Sequence, residues 1–291
     1  MFRATLGLVC WLLLSWPALA GQASSPRLPA SGSALPLEGT CELAVAADGI
    51  RLAGKPVVPL ADWKPASEPG LWSGSMLLAP LHEALSSLQT ERKKKGEQGA
   101  LCLAIDRDTP YGLLTRVLYT AGQAEWVRLV FAVRAADGQA RALPLELPRL
   151  AAAASSDDPG VRLGQPGDAP EPLNLTVAVM KRGLLVFGAG GRLEPETEAD
   201  GKTGDPAAPT LGLLDQPGCK QAPTPTAACL PLARLGKKLA EIKRTFPEER
   251  RVIVVAMPEL RFGDLVALLD ALRGSPEKPL FPDLLLSAGI Q

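Results

Sequence analysis

The stretch from Leu101 to Arg134, LCLAIDRDTPYGLLTRVLYTAGQAEWVRLVFAVR, reads as strand, helix and strand. Leu101 to Ile105 is a short apolar run of buried-strand length, and it stops at Asp106, Asp108 and Pro110, which end pairing and start a helix. Asp108 is the expected N-cap. Leu113, Leu114, Val117, Leu118 and Ala121 then recur at helical spacing, so one face of the helix should press against a sheet. Val127 to Val133 is a second apolar strand. With short joints, this order predicts a right-handed parallel crossover.

A weaker copy returns near the C-terminus. Val252 to Ala256 repeats the first strand, Phe262 to Leu272 the helix and Leu284 to Leu286 the second strand. Setting Tyr111-Gly112 on Phe262-Gly263 aligns strand to helix without a gap. Upstream, CELAVAADGIRLAG (Cys41 to Gly54) matches LTVAVMKRGLLVFG (Leu175 to Gly188) with Gly49 on Gly183. A repeat this long predicts two related domains rather than a solenoid, whose units run to roughly 50 residues at most.

These features resemble the periplasmic domain of the ExbD/TolR family, the small subunits of proton-driven energy transducers. The shared pattern is a hairpin at Asp48-Gly49, a helix around Leu81 to Leu88, and a strand ending in Asp106. It continues with the aromatic Tyr111 before Gly112, a helix, and the strand Val127 to Arg134. In the second copy Met257-Pro258 stands in place of the Asp and Phe262 in place of the Tyr. The resemblance implies an α/β (α+β two-layer) fold of two tandem domains, each a small mixed sheet with two helices.

Residues 1–20 carry Arg3, an apolar run from Leu6 to Leu14, Pro17 and Ala18-Leu19-Ala20, the layout of a secretory signal. The mature chain is expected to begin at Gly21. The competing reading is a retained anchor, but the run falls short of the roughly 20 residues that span a bilayer. Residues 1–20 also lack any acidic residue, whereas ExbD and TolR couple protons through an Asp in an N-terminal transmembrane helix. Proton transport is therefore not carried over.

Residues 21–37, rich in Ser, Pro, Ala and Gly, read as a flexible leader. The first domain is placed at 38–150, with an irregular insertion at 55–75. Its helix, Met76 to Lys94, ends in the basic run Arg92 to Lys95 before Gly96, which suits a helix C-terminus. That run reads as a solvated helix end, with peptidoglycan carboxylates as the alternative target. Leu143, Leu145 and Leu147 alternate as a strand that Pro144 and Pro148 should confine to a sheet edge. Residues 151–172 read as a linker and 173–291 as the second domain, with a loosely packed loop insertion at 189–228.

Four cysteines follow the signal, an even number that suggests disulfides in an exported chain. Cys219 and Cys229 would close the base of the insertion. Cys41 and Cys102 fall on two first-domain strands, where the repeat places Leu175 and Ile253; the alternative is a pair of free buried thiols. No CxxC spacing is present and His82 is the only histidine, so neither a metal nor a hydrolase site is expected. A secreted hydrolase remains the third reading, with His82 as its best residue.

The candidate ligand or partner site is Asp106, Asp108 and Tyr111. Asp106 ends a strand at the carboxyl edge, where open α/β sheets receive ligands. Its alternative role is to cap the next helix with Asp108; Tyr111 equally suits packing, since Phe262 lacks its hydroxyl. Thirty-one basic and thirty-one acidic residues cancel, which argues against nucleic acid.

The expectation is an exported, non-catalytic cell-envelope binding or scaffold protein, periplasmic or secreted, with no cofactor. The alternative is an inner-membrane-anchored accessory subunit of a proton-driven biopolymer transport complex. The resemblance implies envelope proteins, ExbB/TolQ-type channel complexes or peptidoglycan as partners, and either a homodimer or pairing of the two copies within one chain.

Overall fold

The computed structural model describes residues 24–32, 34–37, 39, 41–61, 63–65, 75–97, 99–146, 173–189, 191–193, 208–275 and 278–287. The signal segment and the linker at 151–172 lie outside the described residues. The fold is mixed α/β.

After a short strand β1 (Leu35–Pro36), the first half opens with the hairpin β2 (Leu43–Ala46) and β3 (Gly49–Leu52). β4 (Lys55–Ala61) extends it and β5 (Lys64–Pro65) folds back on β4. α1 (Ala79–Lys94), β6 (Leu101–Ile105), α2 (Tyr111–Gln123), β7 (Arg128–Arg134) and β8 (Ala140–Glu146) complete this half. The second half has the hairpin β9 (Thr176–Met180) and β10 (Gly183–Gly188), then β11 (Gly191–Arg192) and β12 (Leu211–Gly212), which both pair with β10. There follow α3 (Leu232–Thr245), β13 (Arg251–Val255), α4 (Phe262–Arg273), the ribbon β14 (Gly274–Ser275) with β15 (Lys278–Pro279), and β16 (Asp283–Leu286).

The strands lie in the order β11-β10-β9-β13-β16-β8-β7-β6-β2-β3-β4-β5. The predicted crossovers are parallel in both halves, β6 beside β7 and β13 beside β16. Register repeats as well. Leu43 faces Leu103 in the first half as Val177 faces Val254 in the second, and Ala46 faces Gly49 as Met180 faces Gly183. Large apolar side chains alternate with small or polar ones along the hairpin strands, Leu43 and Val45 in β2 and Val177 and Val179 in β9, and a slip of one residue would turn them to the opposite face. The halves join where β8 runs parallel to β16, Glu146 opposite Leu285.

Apolar helix faces close the layers. Leu81 and Leu85 of α1, Leu113, Leu114 and Val117 of α2, and Leu265, Val266 and Leu269 of α4 are fully buried, each contributing about 1.5–3 kcal/mol. The rings of Phe131 and Phe262 meet edge to face with centroids 4.9 Å apart, one from each half. α3 presents Leu232, Leu235, Leu239 and Ile242 at helical spacing to this core, a helix of the second half beyond those expected from the repeat.

Several expectations change. β8 is not an edge strand: β7 pairs along one side, and β1 and β16 take the other. Pro144 is tolerated because the second-side partners stop at Ala142 and resume at Glu146, and its carbonyl accepts from Arg273 Nη2 instead of from a strand. The stretch 55–61 is a strand despite Pro56 and Pro59, which pair with Arg51 and Gly49 of β3 and, among the described residues, have no strand on their other side. Of the insertion, residues 189, 191–193 and 208–228 are described, and they are built into the fold: β11 pairs with β10, Thr210 Oγ1 accepts from the Val186 amide at 3.0 Å and Cys219 is disulfide-bonded to Cys229.

Candidate functional site

The site grows from the loops that follow β6 and β13. Each loop ends in an aromatic-glycine pair that opens a helix, Tyr111-Gly112 for α2 and Phe262-Gly263 for α4. The first amides of a helix have no partner within it and must be satisfied from outside. Here each half supplies the other. The Tyr111 and Gly112 amides donate to the carbonyls of Leu260 (2.7 Å) and Pro258 (2.9 Å), and those of Phe262 and Gly263 donate to Thr109 (2.8 Å) and Arg107 (2.7 Å). Pro110 and Arg261 form an antiparallel bridge between the two pairs of bonds. Under the repeat alignment the four bonds are reciprocal.

This exchange corrects the role expected of Asp108. It does not cap α2, whose N-cap is Pro110 with no side-chain hydrogen bond. The Asp108 carboxylate faces outwards and accepts from Arg27 Nη2 at 2.5 Å and Arg261 Nη1 at 3.4 Å.

Asp106 lies at the carboxyl end of β6 and is 4% exposed. Its Oδ2 accepts from the Arg27 amide (2.9 Å) and Nε (3.1 Å), and its Oδ1 from Arg27 Nη2 (3.0 Å) and the Asp108 amide (3.0 Å). Burial pushes this carboxyl up, but the bonds from Arg27 and the Asp108 amide outweigh burial and hold it below the usual carboxylate range. The two aspartates raise the Arg27 guanidinium in turn. The structure therefore joins Asp106 and Asp108 around Arg27, an arginine of the segment expected to be a flexible leader.

Tyr111 stands apart from that pair. It is buried, and its hydroxyl donates to the carbonyl of Ser287, just beyond β16. Burial pushes its phenol well up. Its ring packs and its hydroxyl fastens the end of β16, so packing accounts for it. Asp264, in the first turn of α4, accepts from the Ala227 amide at 2.6 Å, and burial raises its carboxyl.

The segment read as a flexible leader is tied along this edge. Ser24 Oγ donates to Asp48 at 2.6 Å, and this bond together with Arg51 brings the Asp48 carboxyl down to about 2 despite some desolvation. The Arg107 amide donates to the Arg27 carbonyl, the Arg134 amide to Pro29, and the Ser31 amide back to Arg134. Ser31 Oγ and the Gly32 amide then reach Asp270 on α4, at 2.7 and 2.8 Å. Arg27 and Asp270 carried no local signal, since their partners are remote in sequence.

Both predicted disulfides are present, Cys41–Cys102 and Cys219–Cys229. In the second half Leu175 and Ile253 occupy the positions of Cys41 and Cys102, and the Ile253 amide donates to the Leu175 carbonyl at 2.8 Å. The same two strand ends are neighbours in both halves. At this same end of β6, two residues of the basic run are paired: Arg92 with Glu42, its guanidinium also stacked over the Trp126 ring, and Lys93 with Glu125. His82 is half-buried on α1, and no group of three or more His, Cys, Asp or Glu is placed to hold a metal among the described residues.

Among the described residues no helix is long and apolar enough to cross a membrane. Comparison of this chain with protein-family models, curated proteins and solved structures finds no match.

Proposed function

We propose that this chain is an exported, non-catalytic binding or scaffold protein of the cell envelope, related to the periplasmic part of the ExbD/TolR subunits. In this reading its two halves are diverged copies that pair with each other as a single-chain counterpart of a dimer.

The observation that carries the pairing is the reciprocal exchange of helix-capping bonds between Arg107 to Gly112 and Pro258 to Gly263. Repeated register in the two hairpins and crossovers supports common descent of the halves. Two disulfides fit an oxidising compartment. A binding role fits two carboxylates, Asp106 and Asp108, gathered around one arginine at a strand-end edge, with envelope proteins, ExbB/TolQ-type channel complexes or peptidoglycan as candidate partners.

The test is the intact, unreduced mass of the native protein from separated soluble and membrane fractions, followed by crosslinking and pull-down with peptidoglycan sacculi. A soluble chain starting at Gly21, lighter by the hydrogens of two disulfides and retained by sacculi or by an envelope protein, is the expected result. A membrane-bound chain retaining Met1 and co-purifying with a channel protein would replace this reading with the transport-complex subunit.

A further inference from the structure

Residues Ser24 to Gly32 run along the carboxyl edge of the first-half strands, and the bonds that hold them there are almost all polar. Pro29 and Ser31 are buried, while Ser24, Ser25, Arg27, Ala30 and Gly32 are exposed. Segments with little apolar burial and exposed hydrogen bonds open at far lower free energy than the core they cover.

The edge beneath is built differently. Asp106 is buried and fixed by the backbone around it, because the Asp108 amide donates to Oδ1 and the Asp106 amide donates to the Val45 carbonyl of β2. Around it stand the Arg107 amide and both the amide and carbonyl of Arg134, which bond to the backbone of Arg27, Pro29 and Ser31 and hold Ala30 in a parallel bridge to Arg134. A buried carboxylate that takes both arms of a guanidinium, flanked by strand-like backbone groups, is the chemistry that reads arginine within an extended peptide. The occupant matches it: Pro26 and Pro29 bracket Arg27 and pre-set an extended backbone, which lowers the entropy of docking.

We infer that the carboxyl edge around Asp106 and Asp108 is a recognition groove for an extended, arginine-bearing peptide segment, and that Ser24 to Gly32 occupies it in cis as a displaceable strap. The inference rests on the binding reading above and names the partner class of the same site. Tethering gives the strap a high effective concentration, so a partner segment binds only when the strap is weakened or outnumbered.

The experiment uses the full-length chain and a labelled peptide of sequence Ser24 to Gly32, followed by fluorescence anisotropy. Arg27→Ala in the chain should loosen the strap and admit the peptide about tenfold or more tightly than the wild type does. Adding Asp106→Asn to that chain, or Arg27→Ala to the peptide, should abolish binding. Equal binding to wild type and variant, or none to a folded Arg27→Ala chain, overturns the inference. A wild-type measurement stands beside these should the variants fold poorly. Hydrogen exchange of 24–32 should be faster than that of Leu101 to Ile105 and should rise selectively with salt; exchange of both segments together at the global rate would make the strap part of the core and remove the groove. Retention by sacculi or by an envelope protein is measured separately, so the groove can fail while the envelope-binding reading stands.

Discussion

Pro110 and Arg261 face each other across an antiparallel bridge, and each is the N-cap of a helix whose first amides are satisfied by the loop that carries the other. Neither helix has a side-chain cap. The carbonyls of Arg107, Thr109, Pro258 and Leu260 replace it. A capping interaction is worth about 1 kcal/mol, so this crossing ties the start of each helix to the presence of the other half.

Because Asp108 is not a cap, its removal should cost little. Asp108→Ala loses two contacts to Arg27 and Arg261, whose side chains are each 63% exposed, and pairs of that kind contribute about 1 kcal/mol or less. Asp106→Ala removes the acceptor of four hydrogen bonds, leaves donors of Arg27 and Asp108 without it, and should cost about 2–3 kcal/mol. Urea unfolding of both variants checks the ranking. Equal losses would mean that Asp108 supports the helix after all.

Gly183 admits no side chain. Its φ is +145°, and a Cβ there would lie 2.1 Å from the Leu211 carbonyl oxygen of the paired strand β12. Strained backbone of this kind costs about 1–3 kcal/mol, so Gly183→Ala should lower the thermal midpoint by several degrees. An unchanged midpoint would mean that β12 can leave β10 without loss.

The hairpins and crossovers were legible because their information is local. Cys41 to Gly54 and Leu175 to Gly188 carry period-two patterns around a small turn, and Leu113, Leu114 and Val117 mark one helix face. What depended on remote partners was not. Asp108 precedes a helix as an N-cap would, and nothing near it reveals that Pro258 and Leu260 already hold the first amides. Pro144 suggested an edge because a gap between two partner strands cannot be seen in one strand's residues. Arg27 looked like leader because its polar, proline-flanked setting lacks apolar periodicity, although its fit to Asp106 is chemical rather than hydrophobic. The spacing of Leu232, Leu235, Leu239 and Ile242 was a signal for α3 that the neighbouring insertion obscured.

Acid should loosen the N-terminal segment first. The Asp48 carboxyl sits at about 2 against an ordinary 3.8, so its stabilisation is complete above the ordinary value and is lost as pH falls towards about 2. Asp106 is lowered and acts in the same sense, whereas burial raises Asp264, which gains on protonation. Limited proteolysis between about pH 5 and pH 2 should therefore show cleavage near Ser24 to Gly32 before cleavage in β6. Asp48→Asn should flatten this pH dependence; an unaltered profile would place the titration elsewhere.

The two disulfides should differ in weight. Their sequence separations are 61 and 10 residues, and loop-closure entropy then assigns about 4 kcal/mol to Cys41–Cys102 and about 3 kcal/mol to Cys219–Cys229. Replacing each pair by alanine and comparing denaturant midpoints tests the order. A larger loss at Cys219–Cys229 would show that the folded insertion, not chain entropy, governs the difference.

The crossing at Pro110 and Arg261 also predicts how the chain melts. If the halves were independent, each would unfold with its own midpoint, since domains joined by a linker need not share a transition. Here α2 and α4 begin on each other's loops, Phe131 packs on Phe262, and Tyr111 bonds to Ser287. Unfolding one half therefore leaves the first two amides of one helix of the other without their acceptors and exposes a buried aromatic, at a cost of several kcal/mol. Scanning calorimetry should give one transition with calorimetric and van't Hoff enthalpies in agreement. Phe262→Ala, expected to cost about 3–5 kcal/mol, should lower that single midpoint without splitting it. Two resolved transitions in the wild type, or a variant in which only the second half melts early, would mean that the crossing does not couple the halves.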